Sequence, residues 1–435
     1  MPINPQANEL NDAIKAANPH VFSLLSDKGK SIYFPKRGIL AQTAEAAGKE
    51  INATIGTALE DNGNPMCLES LSRQINLSGK QIFAYAPSPG RAEIRSLWKD
   101  MLYRKNPSLK GATVSLPVVT SALTHGLSMA GYLFVDKGDT IILPDLFWEN
   151  YELIFSLSCC GKLKTYPMFS KGGFNVDGLR KALNSGKKGK KIVMLNFPNN
   201  PTGYTATIEE GRRIIQVLLD AAEAGNDLAV LIDDAYFGLV FEDGIMQESL
   251  FGLLAQAHDR ILAIKFDGPT KEDYVWGFRV GFVTFGNKKN SGQLFSALEA
   301  KLGGAIRGNI SNASNLGQSL LIAAYGDPHY EEEKTKKFET LKRRYQKVIE
   351  ILQNHPEYNE IFTPLPFNSG YFMCVKIKTG NAEPIRQLLI RKYSTGIIAL
   401  DDLIRVAFSS TPLSMLERLF DNIYWAGKEA AGAAQ

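Results

Sequence analysis

Residues 191–203, KIVMLNFPNNPTG, place an apolar run directly before a loop rich in proline and asparagine. A short apolar run that ends in turn residues is typical of a buried β-strand. The same pattern occurs at residues 228–236, LAVLIDDAY, and at residues 261–271, ILAIKFDGPTK. Segments of helix length separate the three runs. This alternation predicts an α/β fold built on a mostly parallel sheet.

Further short apolar runs extend the pattern from residue 113 to residue 285. We therefore predict a seven-stranded, mostly parallel sheet with helices on both faces. The loop before the seventh run contains Gly268 and Gly277 and is too short for a crossover helix, so this strand is expected to run antiparallel or to be inserted. The predicted strands are Thr113–Val119, Thr140–Leu143, Leu163–Met168, Ile192–Phe197, Leu228–Asp233, Ile261–Phe266 and Val280–Phe285.

The chain ends predict a second, smaller α+β domain. A long helical pattern, rich in Glu and Lys at i,i+4 spacing, covers Glu331–Leu352. Two strand-like runs, Tyr371–Ile377 and Leu403–Phe408, flank a predicted helix over Ala382–Lys392. The first sixty residues have no sheet of their own, and we expect them to wrap onto this domain. The predicted boundaries are 1–62 for an N-terminal arm and part of the small domain, 63–325 for the large domain, and 326–435 for the small C-terminal domain.

Composition and motifs argue against several classes of function. A net charge of +4 gives little support for nucleic-acid binding, and no apolar run reaches the roughly 20 residues that span a bilayer. The patterns H-E-x-x-H, G-x-x-x-x-G-K-[ST], G-x-S-x-G and G-x-G-x-x-G do not occur, and the five histidines are scattered, so no metal site is predicted. The four cysteines fit no disulfide framework and the N-terminus has no signal pattern, so we expect a cytoplasmic protein.

Chemically active side chains follow three successive predicted strands. Asn200, Asp233 with Tyr236, and Lys271 come after these strands, and Arg279 lies eight residues beyond the lysine. In a doubly wound sheet, ligands bind outside the carboxyl ends of the strands. An amine that forms an imine, an anion for a pyridine nitrogen and a cation for a phosphate are what pyridoxal 5'-phosphate requires. The sequence therefore favours a pyridoxal-phosphate site.

From about Ile55 to Ala407 the sequence resembles the class I aminotransferases, the aspartate/aromatic aminotransferase-like family of fold type I pyridoxal-phosphate enzymes. The resemblance implies an enzyme that moves an amino group between an amino acid, dicarboxylic or aromatic, and a 2-oxo acid. It also implies a homodimer with shared active sites and a large domain that binds the cofactor. The motifs, in the family's order and spacing, are Tyr85-x-Pro-x-x-Gly90, Asn199-Asn200-Pro-Thr-Gly203, Asp233-x-Ala-Tyr236, Lys271-x7-Arg279-x-Gly281 and Ile404-Arg405-Val406.

The resemblance implies a role for each residue that matches these motifs. Lys271 is the lysine that forms the imine and later moves the proton between the substrate Cα and the cofactor C4′. Asp233 pairs with the pyridinium nitrogen. Asn200 and Tyr236 hydrogen-bond the 3′ oxygen of the cofactor. Trp148 matches the aromatic residue that stacks on the ring, with Phe147 as its rival.

Phosphate binding is implied for three parts of the chain and for the neighbouring subunit. Free amides and a helix dipole favour an anion where a strand turns into a helix. This position departs from the family, because the usual glycine is Ala122, and the serine expected three residues before the lysine is Gly268. The implied phosphate contacts are Ser121, Ala122, Leu123, Thr270, Arg279 and, from the partner subunit, Tyr85.

Substrate binding is implied for an arginine near the predicted strand end at Leu403–Phe408. Arg405 matches the residue that binds the substrate α-carboxylate bidentately, beside Asn200 and with a backbone contact from Gly56. A structural salt bridge from Arg405 to Asp401 or Asp402 is the competing interpretation.

A second arginine concerns the side chain of the substrate. Arg307 holds the place of the arginine that, in aspartate-type members, reaches across the dimer to the side-chain carboxylate. Gly308 replaces the family's proline there, and an ordinary surface arginine is the competing interpretation.

Two assigned residues have a rival close by in the sequence. Lys265 competes with Lys271 but lacks the eight-residue step to an arginine, and Asp234 competes with Asp233. The function also has two competing interpretations, a pyridoxal-phosphate-dependent lyase acting on an amino acid and a non-catalytic binding or regulatory protein on the same fold.

Overall fold

The computed structural model describes residues 3–32, 38–75, 77–289 and 292–432. The strands, in chain order, are β1 (Ile51–Asn52), β2 (Val118–Thr120), β3 (Thr140–Pro144), β4 (Lys162–Tyr166), β5 (Phe169–Ser170), β6 (Gly173–Phe174), β7 (Lys190–Asn196), β8 (Asp227–Asp233), β9 (Ile261–Asp267), β10 (Gly281–Gly286), β11 (Phe362–Pro364), β12 (Phe372–Ile377), β13 (Thr395–Gly396), β14 (Ile398–Leu400) and β15 (Leu403–Ala407).

The α-helices lie mainly between these strands and at the chain ends. They are α1 (Pro5–Ala17), α2 (Pro19–Leu24), α3 (Asp27–Ser31), α4 (Ile39–Glu45), α5 (Glu69–Ser72), α6 (Gly79–Phe83), α7 (Ala92–Lys105), α8 (Ala122–Phe134), α9 (Val176–Asn184), α10 (Ile208–Glu223), α11 (Leu250–Leu254), α12 (Pro269–Glu272), α13 (Gly292–Asn309), α14 (Asn315–Tyr325), α15 (Tyr330–Asn354), α16 (Glu383–Lys392) and α17 (Leu416–Gly432).

Seven strands form the large sheet, in the order β2-β10-β9-β8-β7-β3-β4. Within this sheet the neighbouring strands β4, β3, β7, β8 and β9 pair in parallel. Strand β10 runs antiparallel to both of its neighbours, β2 and β9. The seven-stranded, mostly parallel sheet and its antiparallel strand are therefore confirmed.

Both faces of the sheet are buried, as the continuous apolar runs predict. Along β7, Val193 and Leu195 pack into one core cluster, while Ile192 and Met194 pack into another on the opposite face. Helices α9 and α10 contact the sheet from the first side, and α8 and α13 contact it from the second. The helices on both faces are therefore confirmed.

The predicted strand Thr113–Val119 is wrong in its extent, because only Val118–Thr120 forms a strand. Pro117 has no backbone N–H to donate to a neighbouring strand, so regular pairing begins after it. Before the proline the chain still follows β10, since the Ser115 N–H donates to the Phe285 carbonyl at 2.9 Å.

The smaller domain contains a four-stranded antiparallel sheet in the order β11-β12-β15-β14. The start of the chain joins it, because β1 pairs in parallel with β13 and the Gln42 side chain hydrogen-bonds both the N–H and the C=O of Ala399. A small sheet domain built from both chain ends is therefore confirmed, whereas the boundaries at residues 62 and 325 stay a prediction.

Adjacent parallel strands bring the predicted site together. In the ladder, Asn196 at the end of β7 lies opposite Asp233 at the end of β8, and Asp233 lies opposite Phe266 in β9. The loops that carry Asn200 and Lys271 leave the sheet at this same edge. The order of the strands thus places residues from distant parts of the chain around one space.

Candidate active site

A cavity of about 260 Å³ lies at the carboxyl ends of β7, β8 and β9. Every residue predicted to bind the cofactor lines this cavity, except Tyr85 and Ser121. Three of its residues, Thr124, Asn196 and Ala235, were not predicted. The lining residues are Ala122, Leu123, Thr124, Trp148, Asn196, Asn200, Asp233, Ala235, Tyr236, Thr270, Lys271 and Arg279.

Lys271 lies on the single turn of α12, and its carbonyl accepts a hydrogen bond from the Tyr371 hydroxyl at 2.8 Å. Its Nζ lies 5.1 Å from the centre of the Tyr236 ring. Burial lowers the pKa of Lys271 to about 8, with a further lowering by Arg279, although the Asp233 carboxylate opposes the change. A lysine whose amine is partly neutral near physiological pH is suited to act as a nucleophile or a base.

The rival residues Lys265 and Asp234 are engaged with each other. Lys265 is fully buried and forms ion pairs with Asp234 and, at 3.4 Å, with Asp267. Asp234 also accepts a hydrogen bond from the Ser249 hydroxyl at 2.6 Å. Neither rival lines the cavity, so the geometry favours Lys271 and Asp233.

Asp233 is buried and anchored by two donors. Its Oδ2 accepts a hydrogen bond from the Tyr151 hydroxyl at 2.6 Å, and its Oδ1 accepts one from the Ala235 N–H at 3.1 Å. Burial raises the pKa of Asp233, whereas the Tyr151 hydrogen bond and the Lys271 charge oppose this rise. The contacts of Asp233 therefore favour its ionised form, in opposition to the effect of burial.

Sequence reasoning missed Tyr151, since a lone tyrosine three residues after Trp148 carries no motif. The Trp148 and Tyr151 rings pack edge to face, with centroids 5.7 Å apart. Trp148 lines the cavity, while its rival Phe147 lines a separate cavity next to β14 and β15. Of the two aromatic residues, only Trp148 is placed to stack on a group bound here.

The start of α8 forms one end of the cavity. Ala122 adopts φ 61°, a conformation that favours glycine, which is the family's residue at this position. Here the backbones of the two loops approach closely, since a Cβ on Gly281 would lie 2.7 Å from the Ala122 carbonyl carbon. A helix N-terminus at a cavity wall is suited to bind an anion.

Two further groups at the cavity wall suit an anion. The Thr270 hydroxyl is buried and has no hydrogen-bond partner in the described part of the chain. Arg279, exposed and with φ 53°, also lines the cavity. At Gly268, where the family has serine, a Cβ would lie 3.0 Å from the Gly281 Cα, so the space for a side chain is narrow. Ser121 lies just outside the cavity, where its N–H donates to His125 Nδ1 at 3.1 Å.

Arg405 lies in β15 and is 3% exposed. Its Nη1 donates to Asn200 Oδ1 at 3.2 Å, its Nη2 donates to the Thr54 carbonyl at 3.2 Å, and its guanidinium lies 4.3 Å from the centre of the Phe372 ring. Its Nε is buried without a partner among the described residues. Arg405 is therefore attached to the cavity through Asn200, which lines it.

The contacts of Arg405 do not support a structural salt bridge. Within the described ranges Arg405 forms no ion pair with a carboxylate, and Asp402 instead pairs with Lys376 at 2.9 Å.

The predicted contact residue Gly56 is exposed, and a Cβ there would lie 3.9 Å from the Phe372 ring that covers the arginine.

Two predicted residues, Tyr85 and Arg307, do not line the cavity of their own chain. Tyr85 is 91% exposed. Arg307 is exposed in the last turn of α13, where its Nη1 donates to the Ser311 hydroxyl at 3.1 Å.

The described residues include neither a cluster of potential metal ligands nor a helix able to cross a membrane. Within residues 3–32, 38–75, 77–289 and 292–432, no three His, Cys, Asp or Glu side chains are grouped to hold a metal ion. The helices described for this chain include none with the length and apolar character needed to cross a membrane.

Comparisons with known proteins identify the family of this chain. The family model described as aminotransferase class I and II matches residues 49–423. An aspartate aminotransferase of Bacillus subtilis is 25% identical over 319 residues, which cover 72% of this chain and 74% of the relative. A tyrosine aminotransferase of Dictyostelium discoideum is 25% identical over 217 residues, which cover 49% of this chain and 48% of the relative.

A solved structure is similar over almost the whole chain. The aminotransferase from Anaerococcus prevotii has a TM-score of 0.83 and 25% identity, and the match covers 93% of this chain and 99% of that one. The family match and the sheet order agree. The chain belongs to the class I and II aminotransferases and is a transaminase.

Proposed function

We propose that this transaminase uses pyridoxal 5'-phosphate, held by Lys271, and exchanges an amino group between an amino acid, dicarboxylic or aromatic, and a 2-oxo acid. One observation carries the proposal: the half-buried Lys271 amine, with its lowered pKa, shares a cavity with the buried Asp233 carboxylate. An amine and an anion in one cavity are the two groups that this cofactor needs most.

The residues of the cavity suit this cofactor. The unpartnered Thr270 hydroxyl, the Arg279 guanidinium and the first amides of α8 suit a phosphate. Asp233 suits a protonated ring nitrogen, and Trp148 suits an aromatic ring. When bound, the cofactor supplies an aldehyde carbon for an amine and a ring that withdraws electrons from the substrate Cα.

The side chains of the protein would carry the proton and fix the charges. With its pKa near 8, Lys271 is able both to remove and to return the proton at the substrate Cα. Tyr151 favours the ionised form of Asp233 by donating to its carboxylate. Burial raises the pKa of Tyr236, so its side chain stays a neutral phenol with a hydrogen to donate to a bound group.

Arg405 is the proposed contact for the substrate α-carboxylate. Its guanidinium is already desolvated and fixed by Thr54 and Asn200, so little conformational freedom remains to be lost on binding. Its buried Nε lacks a partner among the described residues, which suits a ligand that accepts a hydrogen bond. This proposal covers amino acids and 2-oxo acids alike, because both carry the carboxylate.

We also propose a homodimer in which each subunit completes the site of the other. Tyr85 and its neighbour Phe83 are 91% and 85% exposed, which is unusual for aromatic side chains. In this arrangement Tyr85 would contact the phosphate bound by the partner, and Arg307 would contact a side-chain carboxylate of its substrate. The relatives include an aspartate aminotransferase and a tyrosine aminotransferase, so the proposal keeps both dicarboxylic and aromatic amino donors.

The test is a half-reaction followed by visible absorbance. Purified protein is loaded with pyridoxal 5'-phosphate and given one amino acid at a time. A transaminase converts the bound aldehyde to the amine form, and a 2-oxo acid then restores the original spectrum. Release of ammonia with no amine form would instead indicate a lyase, and failure to take up the cofactor would refute the proposal.

A further inference from the structure

The helix that presents Lys271 is too short to hold itself in place. It spans Pro269–Glu272, and one helical turn has no stability of its own in water. The following segment is strained, because Tyr274 and Arg279 both have positive φ, at 58° and 53°. The orientation of the lysine must therefore come from contacts outside the turn.

Those contacts form a buried cluster of charges directly after the lysine. Glu272 and Asp273 are 4% and 0% exposed. Lys105 Nζ contacts the two Glu272 carboxylate oxygens at 3.0 and 2.8 Å. Lys334 Nζ lies 2.8 Å from Glu272 Oε2 and 2.8 Å from Asp273 Oδ1. Two ammonium groups thus neutralise two carboxylates.

Two tyrosines complete the cluster. The Tyr330 hydroxyl donates to Asp273 Oδ1 at 2.8 Å, and the Tyr325 hydroxyl donates to Asp273 Oδ2 at 2.9 Å. Every oxygen of both carboxylates therefore has a donor, which is the condition under which buried charges are tolerated. The two ammonium groups hold the pKa of Glu272 well below its usual range against the opposing effect of burial.

The cluster joins the lysine turn to a helix that enters the small domain. Lys334 lies in the second turn of α15, while the same helix packs against α17 further along. Lys105, by contrast, is the last residue of α7 beside the large sheet domain. Lys334 is thus the cation through which α15 contacts the residues after Lys271.

We propose that Lys334 is a positioning residue for Lys271: by holding Glu272 and Asp273, it fixes the one-turn helix that presents the catalytic amine to the cavity. The competing explanation is that the cluster contributes to stability alone. This inference rests on the proposed role of Lys271. The two proposals are tested separately, because the state of the amine is measurable whatever reaction the enzyme catalyses.

The experiment measures the pH dependence of Lys271 acetylation in the full chain freed of cofactor, read by mass spectrometry. In wild type the midpoint is expected near 8. The charged or titratable groups facing Lys271 are Asp233, Tyr236 and Arg279, which stay unchanged. In Lys334→Met the turn loosens and admits water, so the midpoint rises toward that of an ordinary lysine by at least about half a pH unit.

Matched variants separate positioning from stability. Lys336→Met removes an exposed cation from the same helix, where it pairs with Glu332 at 2.7 Å, and should leave the midpoint unchanged. Lys334→Arg should restore most of the wild-type midpoint. Tyr330→Phe removes one donor to Asp273 and should cause a smaller shift in the same direction, which keeps the test decisive if Lys334→Met does not fold.

The proposal is overturned if Lys334→Met, or Tyr330→Phe in its place, lowers the melting temperature while the Lys271 midpoint stays at the wild-type value. Equal shifts in Lys334→Met and Lys336→Met would also overturn it, because the effect would then be one of net charge. A failure of the transaminase half-reaction would leave these midpoints readable and would count against the proposed function alone.

Discussion

The hydrogen bond between Tyr151 and Asp233 offers the sharpest test of how the protein stabilises the charged form of a buried carboxylate. The two residues are 1% and 3% exposed, and the oxygens lie 2.6 Å apart. Tyr151→Phe removes the hydroxyl and leaves the ring in place. Phenylalanine offers no donor in place of the hydroxyl, so Asp233 Oδ2 loses the hydrogen bond from Tyr151.

The expected loss follows from the type of bond. A hydrogen bond to a charged group contributes about 1.5–3 kcal/mol. The loss should lower the melting temperature by roughly 3 to 10 °C for a domain of this size. Since the Tyr151 bond opposes the rise in the pKa of Asp233 that burial causes, its removal raises that pKa further.

The sign of the pH dependence follows from this pKa. A buried carboxyl whose pKa is raised in the folded state lowers the stability of the fold once the pH exceeds the pKa of that carboxyl in the unfolded chain. The hydrogen bond from Tyr151 reduces this loss of stability. The loss in Tyr151→Phe should therefore grow from pH 5 to pH 8, because the ionised fraction of Asp233 increases with pH. Thermal unfolding of the full chain without cofactor, followed by circular dichroism at both values, measures the difference.

Tyr166→Phe is the matched control. The Tyr166 hydroxyl is also buried, but it has no hydrogen-bond partner within the described residues. Its removal should leave the melting temperature nearly unchanged at both pH values. Equal losses in the two variants, or a Tyr151→Phe loss that does not grow from pH 5 to pH 8, would refute the argument.

Three further substitutions test the substrate contacts and the fold. Arg405→Lys should raise KM for every amino donor by one to two orders of magnitude, because a lysine cannot reproduce the bidentate contact; steady-state kinetics with an unchanged KM would contradict this. Arg307→Ala should lower kcat/KM about 10- to 100-fold for aspartate and glutamate and leave aromatic donors nearly unaffected, whereas equal loss for all donors would indicate a structural role. Gly203→Ala should destabilise the fold by about 3 kcal/mol or more, because Gly203 has φ 71° and the added Cβ would lie 1.8 Å from the Phe372 carbonyl oxygen. A melting temperature like that of wild type would contradict this close approach of the two backbones.

The sequence predicted those features that depend on periodicity and on strand order. Asn200, Asp233 and Lys271 could be placed together because each follows a parallel strand, and parallel neighbours end at one edge of a sheet. The extent of β2 could not be predicted from apolar character, since Pro117 interrupts pairing without interrupting the apolar run. Periodicity reports burial, whereas hydrogen-bond donors decide where a ladder begins.

Sequence patterns could not predict contacts between residues that lie far apart in the chain. Tyr151 lies 82 positions before Asp233, and no motif joins them. Lys334 contacts Glu272 from a helix whose Glu- and Lys-rich pattern indicates a solvated face. A charged residue at such a position is indistinguishable in sequence from its exposed neighbour Lys336. Only the packing of α15 against the residues after Lys271 distinguishes them.

Borohydride reduction tests most directly whether Lys271 holds pyridoxal phosphate in this chain. The loaded protein is reduced, digested and examined by mass spectrometry, with Lys271→Ala as the control. We expect a single pyridoxyl-phosphate adduct on the peptide that contains Lys271, and no adduct in the variant. An adduct on Lys265, or an adduct that persists in Lys271→Ala, would contradict the account.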